Sequence, residues 1–261
     1  MTIDGLYNFR DTGGTPLTAG GTTRSGVLFR SDALSGLTQT GLDELAATEI
    51  GVIVDFRTPE ERKAAADRIP TSRPFEVAEL ALLEGAMADM AQNALSHGAS
   101  PSPETAAQAT PSIPTLGELY VGMVQHGAAR FAEVARLIAA STDDSPSAVL
   151  VHCTAGKDRT GVATALMLDA VGAERAAVVA DYAASQDNLA GPWADGMLHM
   201  ISSLGLPLTP ELRTLVTGTP PDAIEQALAW VDTEHGGAAD YLGSGGLTPH
   251  ELTGLRTRLV G

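Results

Sequence analysis

The sequence predicts an α/β fold built on a central, mainly parallel sheet that is flanked by helices. Short apolar or β-branched segments typical of buried strands alternate with helical segments, and one strand runs directly into a helix through a short turn. A chain of 261 residues is long enough to bury a core without the support of disulfides. We therefore expect a single domain that spans residues 1–261.

The N-terminal part contains three predicted strands and two predicted helices. Residues 27–30 and 50–56 are runs of strand type, and residues 74–83 supply a further strand. Residues 37–48 look helical. Residues 58–70 begin with Thr-Pro-Glu-Glu, which combines an N-cap residue, a proline suited to the first turn and two acidic residues. They predict a helix that ends near the close of that range.

The composition changes between residues 84 and 114, a segment rich in Ala, Ser, Pro and Gly. Two interpretations are open, namely a flexible surface insertion and a helical lid over a binding site. The alanine content favours short helices at 85–97 and 103–109. We take residues 85–114 as a lid insertion within the domain.

The segment after the insertion places a strand next to a helix. Residues 115–140 carry apolar side chains mostly at three- and four-residue steps, which predicts one long amphipathic helix. Residues 147–151 are typical of a buried strand, and residues 160–170 are typical of a helix. The turn between them is of the kind that places anions at a helix N-terminus.

The C-terminal third, from Glu174 onward, is predicted to be helical. Its helices are separated by Gly/Pro turns at 191–192, 205–207 and 218–221. The segment 189–204 contains Met and Trp residues, and we interpret it as core rather than as a ligand site.

The net charge argues against two classes of partner. The chain carries 16 Lys and Arg residues against 32 Asp and Glu residues, a formal net charge of −16. This charge argues against nucleic acid as a partner and against a general affinity for anionic membranes. Any anionic ligand therefore requires a local positive site.

The cellular compartment is predicted from the absence of a secretory signal and of a membrane-spanning segment. Residues 1–10 have neither the basic start nor the apolar run of a secretory signal, and no segment approaches the roughly 20 apolar residues of a membrane span. The one cysteine cannot form an internal disulfide, which suits a reducing compartment. We expect a cytoplasmic protein without stable membrane insertion, and leave export by an unusual route open. A monomer is the default expectation, although the sequence does not give the oligomeric state.

Residues 152–160 read His-Cys-Thr-Ala-Gly-Lys-Asp-Arg-Thr and span the strand-to-helix turn. At a helix N-terminus, among backbone N–H groups and near Arg159, the thiolate form of Cys153 is favoured, so this cysteine is the candidate nucleophile. The loop is long enough to wrap around a tetrahedral dianion, and Gly156 lets the backbone turn and approach closely. Arg159 can make two parallel hydrogen bonds to phosphate oxygens.

The other loop residues are candidates for substrate binding. Main-chain N–H groups of the loop are expected to meet the non-bridging oxygens, Thr160 offers a hydroxyl to the departing sulfur, and His152 is expected to hold the loop in shape. A lone cysteine is more often a small buried hydrophobe, but the whole constellation favours a functional site. The predicted substrate-binding residues are Thr154, Ala155, Gly156, Lys157 and Thr160.

The loop resembles that of the bacterial cysteine-based protein tyrosine phosphatases that carry Ala-Gly-Lys-Asp-Arg in this position. The likeness extends to segments outside the loop, and with them it covers most of the chain. These segments are Asn8 to Gly14, Leu28 to Asp32, Val54 to Arg57, Val178 to Tyr182 and Gly237 to Val260.

The resemblance implies a cysteine phosphatase fold, a helical lid and a two-step phosphocysteine mechanism that uses no metal or other cofactor. It also implies a phosphoprotein substrate carrying phosphotyrosine, with phosphoserine, phosphothreonine and phosphoinositides as further candidates. Lys157 has two interpretations: a second cation at the pocket mouth that suits an inositol headgroup, or a surface lysine that offsets Asp158.

The general acid is the least determined catalytic role. Phosphoryl transfer to sulfur requires a proton for the leaving group from a carboxylic acid within hydrogen-bond reach. Asp158, inside the loop, is the catalytic candidate that we name, and Glu84 at the edge of the insertion is the alternative, with Asp89 further along.

Other polar residues are predicted to support the fold. Arg10, Asp55 and Arg57 are expected to brace it by pairing. Gln186 or Asp187 is a candidate for positioning the hydrolytic water, although a position on a helix surface is the preferred interpretation.

Two other functions use the same residue types. Sulfur transfer or arsenate reduction also employs a cysteine in an anion-binding loop, but the Arg-Thr ending favours phosphate hydrolysis. A phosphate-binding module without turnover is the non-enzymatic alternative, and the complete set of Cys153, Arg159 and Thr160 argues against it.

Overall fold

The computed structural model describes residues 2–82, 114–203, 205 and 207–261. Within these ranges a five-stranded sheet has the order β1-β2-β5-β3-β4, and only β1 is antiparallel to its neighbour. The predicted α/β class with a mainly parallel sheet is confirmed. The strands are β1 (Arg10–Asp11), β2 (Leu28–Ser31), β3 (Ile50–Asp55), β4 (Glu76–Glu79) and β5 (Ala148–His152).

The central strand of the sheet is β5, and all five of its residues are buried. In the register of the sheet, His152 is opposite both Ser31 of β2 and Asp55 of β3. Because the carboxyl ends of these parallel strands meet at one edge, the residue that follows β5 leaves the sheet at the position where α/β folds bind ligands. That residue is Cys153.

Helices surround the sheet and make up the described C-terminal part, as predicted. Threonine side chains cap the first turn of several of them, including a capping box at Thr115 and another at Thr58. The helices are α1 (Gln39–Ala46), α2 (Pro59–Ala64), α3 (Leu116–Ala140), α4 (Arg159–Ala170), α5 (Arg175–Ala183), α6 (Ser185–Asn188), α7 (Pro192–Ser203), α8 (Pro210–Thr217), α9 (Pro221–His235), α10 (Ala238–Ser244) and α11 (Pro249–Leu259).

Helix α2 is shorter than the sequence predicts, because it ends at Ala64 instead of near Pro70. Arg57 causes the early ending. Its Nη1 donates to the carbonyl of Ala65 at 2.7 Å, and its Nη2 contacts Asp67 at 2.6 Å. The chain after α2 is therefore drawn back towards β3 instead of continuing as a helix.

Two apolar cores lie on either side of the sheet. The larger one is built around α3 and α4 and includes Tyr120, Cys153 and Leu166, and the smaller one includes Phe29 and Ile53. No helix within the described ranges is both long and apolar enough to cross a bilayer. Residues 85–113 of the predicted lid insertion lie outside the described residues.

Candidate active site

Cys153 lies between the end of β5 and the start of α4, with a side chain that is 1% exposed. The backbone N–H of Gly156 donates to its Sγ at 3.3 Å. The sulfur therefore lies inside the loop at the N-terminus of α4, where the helix dipole and amide hydrogens favour a negative charge.

Three carbonyl groups of the loop accept hydrogen bonds from residues outside it. The carbonyl of Thr154 accepts from the N–H of Ala33 at 3.1 Å. The carbonyls of Ala155 and Gly156 accept from Asn8 Nδ2 at 3.1 and 3.0 Å. Residues from the N-terminal part of the chain therefore donate hydrogen bonds to the carbonyl oxygens of three consecutive peptide units.

This orientation determines where the loop N–H groups point. In a trans peptide unit the carbonyl and the following N–H point in opposite directions. The N–H groups of Ala155, Gly156 and Lys157 therefore face the side of the loop that holds Cys153, as the Gly156 contact to sulfur confirms. Converging N–H groups of this kind form an anion-binding concavity.

Gly156 is required by the path of the loop. Its φ is +69°, in the left-handed region, and a Cβ at this position would lie 2.2 Å from the carbonyl oxygen of Ser31. Because the clash is with backbone, no side chain can move to relieve it. The turn predicted at this glycine is observed, and the chain there packs closely against the end of β2.

A buried network behind the loop holds Asn8 and Arg30 in place. Arg30 Nη2 donates to the carbonyl of Gly156 at 2.8 Å, and its guanidinium also pairs with Asp181. Arg10 Nε pairs with the same carboxylate at 2.8 Å. Burial opposes ionisation of Asp181, but the two arginine charges outweigh it and lower the pKa of this carboxyl. The pairing role predicted for Arg10 is confirmed.

We predict that Asn8→Ala weakens the binding of inorganic phosphate about tenfold and destabilises the fold by about 1–3 kcal/mol. The carbonyl of Ala155 loses its donor, and the carbonyl of Gly156 keeps only Arg30. Competitive inhibition by phosphate and urea unfolding measure the two effects. Asn188→Ala is the matched control, since Asn188 touches Asn8 at 3.2 Å but is itself exposed. Equal effects of the two substitutions would contradict the prediction.

Arg159 starts α4 and is held by Glu61 of α2. Its Nη1 and Nη2 each donate to a separate Glu61 oxygen at 2.7 Å. Thr154 Oγ1 donates to the same carboxylate at 2.6 Å. Burial alone would raise the pKa of Glu61, but the hydrogen bonds from Arg159 and Thr154 outweigh it and lower the pKa from 4.5 to about 2. Glu61 therefore joins the loop to α2.

We predict that Glu61→Gln costs about 1 kcal/mol at neutral pH, a value reduced because the carboxylate is partly exposed. A lowered folded-state pKa stabilises the fold above the unfolded value, and this stabilisation is lost as the pH falls from 4.5 towards 2. The difference in unfolding free energy between wild type and variant should therefore shrink across that window in urea titrations. Glu79→Gln, which removes the exposed partner of Arg62, is the control and should cost less. A difference that stays constant with pH would rule out this role.

Asp158 precedes α4 at the N-cap position and lines the cavity above Cys153. Its Oδ1 accepts a hydrogen bond from the Tyr120 hydroxyl at 2.6 Å and another from Lys157 Nζ at 2.7 Å. Its side chain is 22% exposed. A carboxyl group at this position is open to a bound ligand.

Lys157 is not the surface lysine that one interpretation of the sequence assumed. Its side chain is 2% exposed, and besides Asp158 its ammonium donates to the carbonyls of Leu215 and Gly218 at 3.0 and 3.2 Å. Its pairing with Asp158 is confirmed. Because three acceptors surround the ammonium, this cation ties the loop to the end of α8.

His152 and Thr160 are both completely buried. The His152 ring places Nδ1 3.3 Å from the Cys153 carbonyl and Nε2 3.3 Å from Asp67 Oδ2, so the ring connects the loop to the segment after α2. Thr160 Oγ1 has no hydrogen-bond partner in the part of the chain that the structure describes. Its action on the departing sulfur remains a prediction.

A cavity of about 520 Å³ opens above the loop. Its polar lining comes mostly from the loop, together with Thr58 and Glu61. Its walls are formed mainly by apolar side chains of the segments around it. The apolar wall residues are Leu82, Leu116, Leu119, Trp193, Met197, Leu215 and Val216.

The segment 189–204 is therefore more than core, and the earlier interpretation is wrong for its central part. Leu189 and Ile201 are buried, but Trp193 and Met197 are only partly buried and face the cavity. Met200 is 48% exposed. Helix α7 therefore forms one wall of the site.

Comparison with known proteins places the chain in a family. The model of the tyrosine phosphatase family matches residues 1–261. The chain belongs to this tyrosine phosphatase family. A tyrosine-protein phosphatase from Nostoc commune is 31% identical over 236 residues, which cover 89% of this chain and 74% of the relative. The triple specificity protein phosphatase PtpB from Mycobacterium tuberculosis is 29% identical over 280 residues, which cover 99% of this chain and 98% of the relative.

Family membership makes the chain a hydrolase that acts on phosphate esters, and the resemblance stated from the loop sequence is confirmed. The structure brings together all the predicted loop residues of this phosphatase. Glu84, the alternative acid, and Asp89 lie outside the described residues. Gln186 and Asp187 are exposed on α6, as the surface interpretation predicts.

Sequence reasoning missed several residues that support the phosphatase site. In the sequence, Glu61 is one of the two acidic residues that begin the helix predicted over residues 58–70, and Asn8 is part of a segment that carries the family resemblance. Tyr120 is one of the apolar-spaced positions of the long helix predicted over residues 115–140. The spacing of apolar residues gives no sign that its hydroxyl reaches the loop.

Proposed function

We propose that this phosphatase hydrolyses phosphotyrosine through a phosphocysteine intermediate formed on Cys153. The observation that carries the proposal is the position of the Cys153 sulfur. It contacts the Gly156 N–H within a ring of inward-facing amides, at the N-terminus of α4 and at the base of an apolar cavity. This environment stabilises a thiolate and holds a phosphate group against it.

In the first step the Cys153 sulfur attacks phosphorus. A sulfur–phosphorus bond forms while the bond between phosphorus and the tyrosine oxygen breaks, and Asp158 gives its proton to that oxygen. The loop N–H groups and Arg159 stabilise the charge on the three phosphoryl oxygens. The tyrosine leaves as a neutral phenol.

In the second step a water molecule attacks the phosphorus of the intermediate. The Asp158 carboxylate accepts the proton of this water, the sulfur–phosphorus bond breaks, and the thiolate and inorganic phosphate are released. Asp158 is thereby returned to its acid form. One carboxyl group serves both steps, first as acid and then as base.

The shape of the cavity supports an aryl phosphate as the substrate. Its apolar walls suit the ring of phosphotyrosine above a polar floor. A preference for phosphoinositides would require Lys157 to bind the inositol headgroup. The ammonium of Lys157 is instead bound to Asp158 and to two backbone carbonyls. We therefore infer that phosphotyrosine is preferred, with phosphoserine, phosphothreonine and phosphoinositides as weaker substrates.

The experiment that tests this function measures phosphate release from para-nitrophenyl phosphate, phosphotyrosine and phosphoserine peptides, and phosphoinositide vesicles, each with and without EDTA. We expect the phosphotyrosine peptide to be hydrolysed faster than the phosphoserine peptide and the vesicles, and EDTA to have no effect. Acid quenching during turnover should trap a phosphoryl group on Cys153, detected by mass spectrometry. Faster turnover of the vesicles would overturn the preference. An unchanged rate after alkylation of Cys153 would refute the mechanism.

A further inference from the structure

We propose that Tyr120 is a positioning residue that fixes which oxygen of Asp158 carries the catalytic proton. This inference rests on the proposed function, in which Asp158 is the general acid. Tyr120 belongs to α3, outside the phosphate-binding loop, and its side chain is completely buried. Its hydroxyl nevertheless donates to Asp158 Oδ1 at 2.6 Å.

Two donors converge on the same oxygen of Asp158. Lys157 Nζ donates to Oδ1 at 2.7 Å, as the Tyr120 hydroxyl also does. An oxygen that accepts from two donors cannot itself hold a hydrogen directed at either of them. The proton of the acid form must therefore reside on Oδ2. Since Asp158 lines the cavity, a proton on Oδ2 is available to the leaving group above Cys153.

Tyr182 of α5 fixes the direction of the Tyr120 hydroxyl. The two phenol oxygens are 2.9 Å apart, and the rings meet edge to face with centroids 5.8 Å apart. Because Tyr120 gives its hydrogen to Asp158, Tyr182 must donate to Tyr120. Burial, together with the charge of Asp158, raises the pKa of Tyr120 well above its ordinary value, so this phenol keeps its hydrogen.

Lys157 alone would hold the carboxyl group less well. Two backbone carbonyls hold the Lys157 ammonium in place, but as a point charge it attracts either oxygen of the carboxylate. A buried phenol clamped by a second phenol has one direction in which to donate. The pair of tyrosines therefore selects Oδ1 as the acceptor and leaves Oδ2 to the reaction.

The test compares aryl phosphates whose phenols differ in acidity, because a general acid matters most when the leaving group is basic. Asp158→Asn should lower kcat/KM for phenyl phosphate by about 100-fold or more and for para-nitrophenyl phosphate far less. Tyr120→Phe should show the same pattern at a smaller size, with about a tenfold loss for phenyl phosphate and under about twofold for para-nitrophenyl phosphate. Tyr182→Phe should show a weaker form of this pattern, and it carries the test if Tyr120→Phe does not fold.

Tyr241→Phe is the matched control. Tyr241 is also a buried phenol that bonds to α3, since its hydroxyl donates to the Val124 carbonyl at 2.7 Å. Among the described residues, its hydrogen bond and its ring contacts are all with residues outside the loop. This variant should keep the wild-type dependence on phenol acidity, whatever its melting temperature. Adding Tyr120→Phe to Asp158→Asn should cause no further loss that depends on the leaving group, because the tyrosine acts through the carboxyl group.

The outcomes separate this inference from the function on which it rests. If Asp158→Asn lowers all rates by one common factor, Asp158 is not the acid, and both the acid assignment and the inference fall. If Asp158→Asn discriminates among the esters but Tyr120→Phe reduces them equally or not at all, only the inference falls. A discriminating effect of Tyr241→Phe would likewise overturn it.

Discussion

Replacing Cys153 with serine is expected to lower kcat for para-nitrophenyl phosphate by a factor on the order of 10⁴. A serine hydroxyl stays protonated at neutral pH, whereas the cysteine lies where a thiolate is stabilised by the N-terminus of α4 and by the Gly156 N–H. Steady-state rates of phosphate release measure the loss.

The same variant should still bind phosphate. The loop carbonyls are held from outside by Ala33, Asn8 and Arg30, so the inward direction of the N–H groups does not depend on sulfur. Calorimetric titration with inorganic phosphate should therefore give a dissociation constant within about threefold of wild type, which separates loss of chemistry from loss of fold. Activity within tenfold of wild type would exclude Cys153 as the nucleophile.

The sequence was most informative where the determinants are local. The N-caps at Thr58 and Thr115 act on N–H groups three residues away, and the turn after β5 is defined by contiguous residues. Such features are readable from residue type and spacing alone. The parallel sheet followed from the same kind of evidence, since strands and helices alternate along the first half of the chain.

The support of the loop could not be read in this way. Glu61 meets Arg159 across 98 positions of sequence, and Asn8 meets Ala155 across 147. Local periodicity carries no information about which distant side chains meet. The position of Glu61 in the capping box of α2 is enough to explain why an acidic residue occurs there. The sequence therefore gives no sign that this carboxylate also binds Arg159.

The mistaken interpretations have a related cause. The apolar residues Trp193 and Met197 look the same in sequence whether they face a core or a ligand cavity. Lys157 looks like any surface lysine, yet three acceptors hold its ammonium in the interior. In both cases burial is decided by neighbouring helices that pack from elsewhere in the chain.

Replacing Arg159 with lysine should lower kcat/KM for aryl phosphates about 10³-fold, although the positive charge is kept. The guanidinium donates to both oxygens of Glu61 at 2.7 Å and to the Phe56 carbonyl at 3.3 Å, so three acceptors hold it at a fixed angle beside the loop. A planar fork held in this way can present parallel N–H groups to phosphate, whereas an ammonium provides one charge without that geometry.

The matched control is Arg62→Lys, which changes an arginine of the neighbouring helix α2. Arg62 pairs with the exposed Glu79 at 2.9 Å and does not line the cavity. The kcat/KM of Arg62→Lys for aryl phosphates should therefore stay within about twofold of wild type. The comparison separates the geometry of one guanidinium from a general effect of losing an arginine near α2. Recovery of most activity in Arg159→Lys would mean that charge alone stabilises the transition state, because the lysine retains the charge and lacks only the fork.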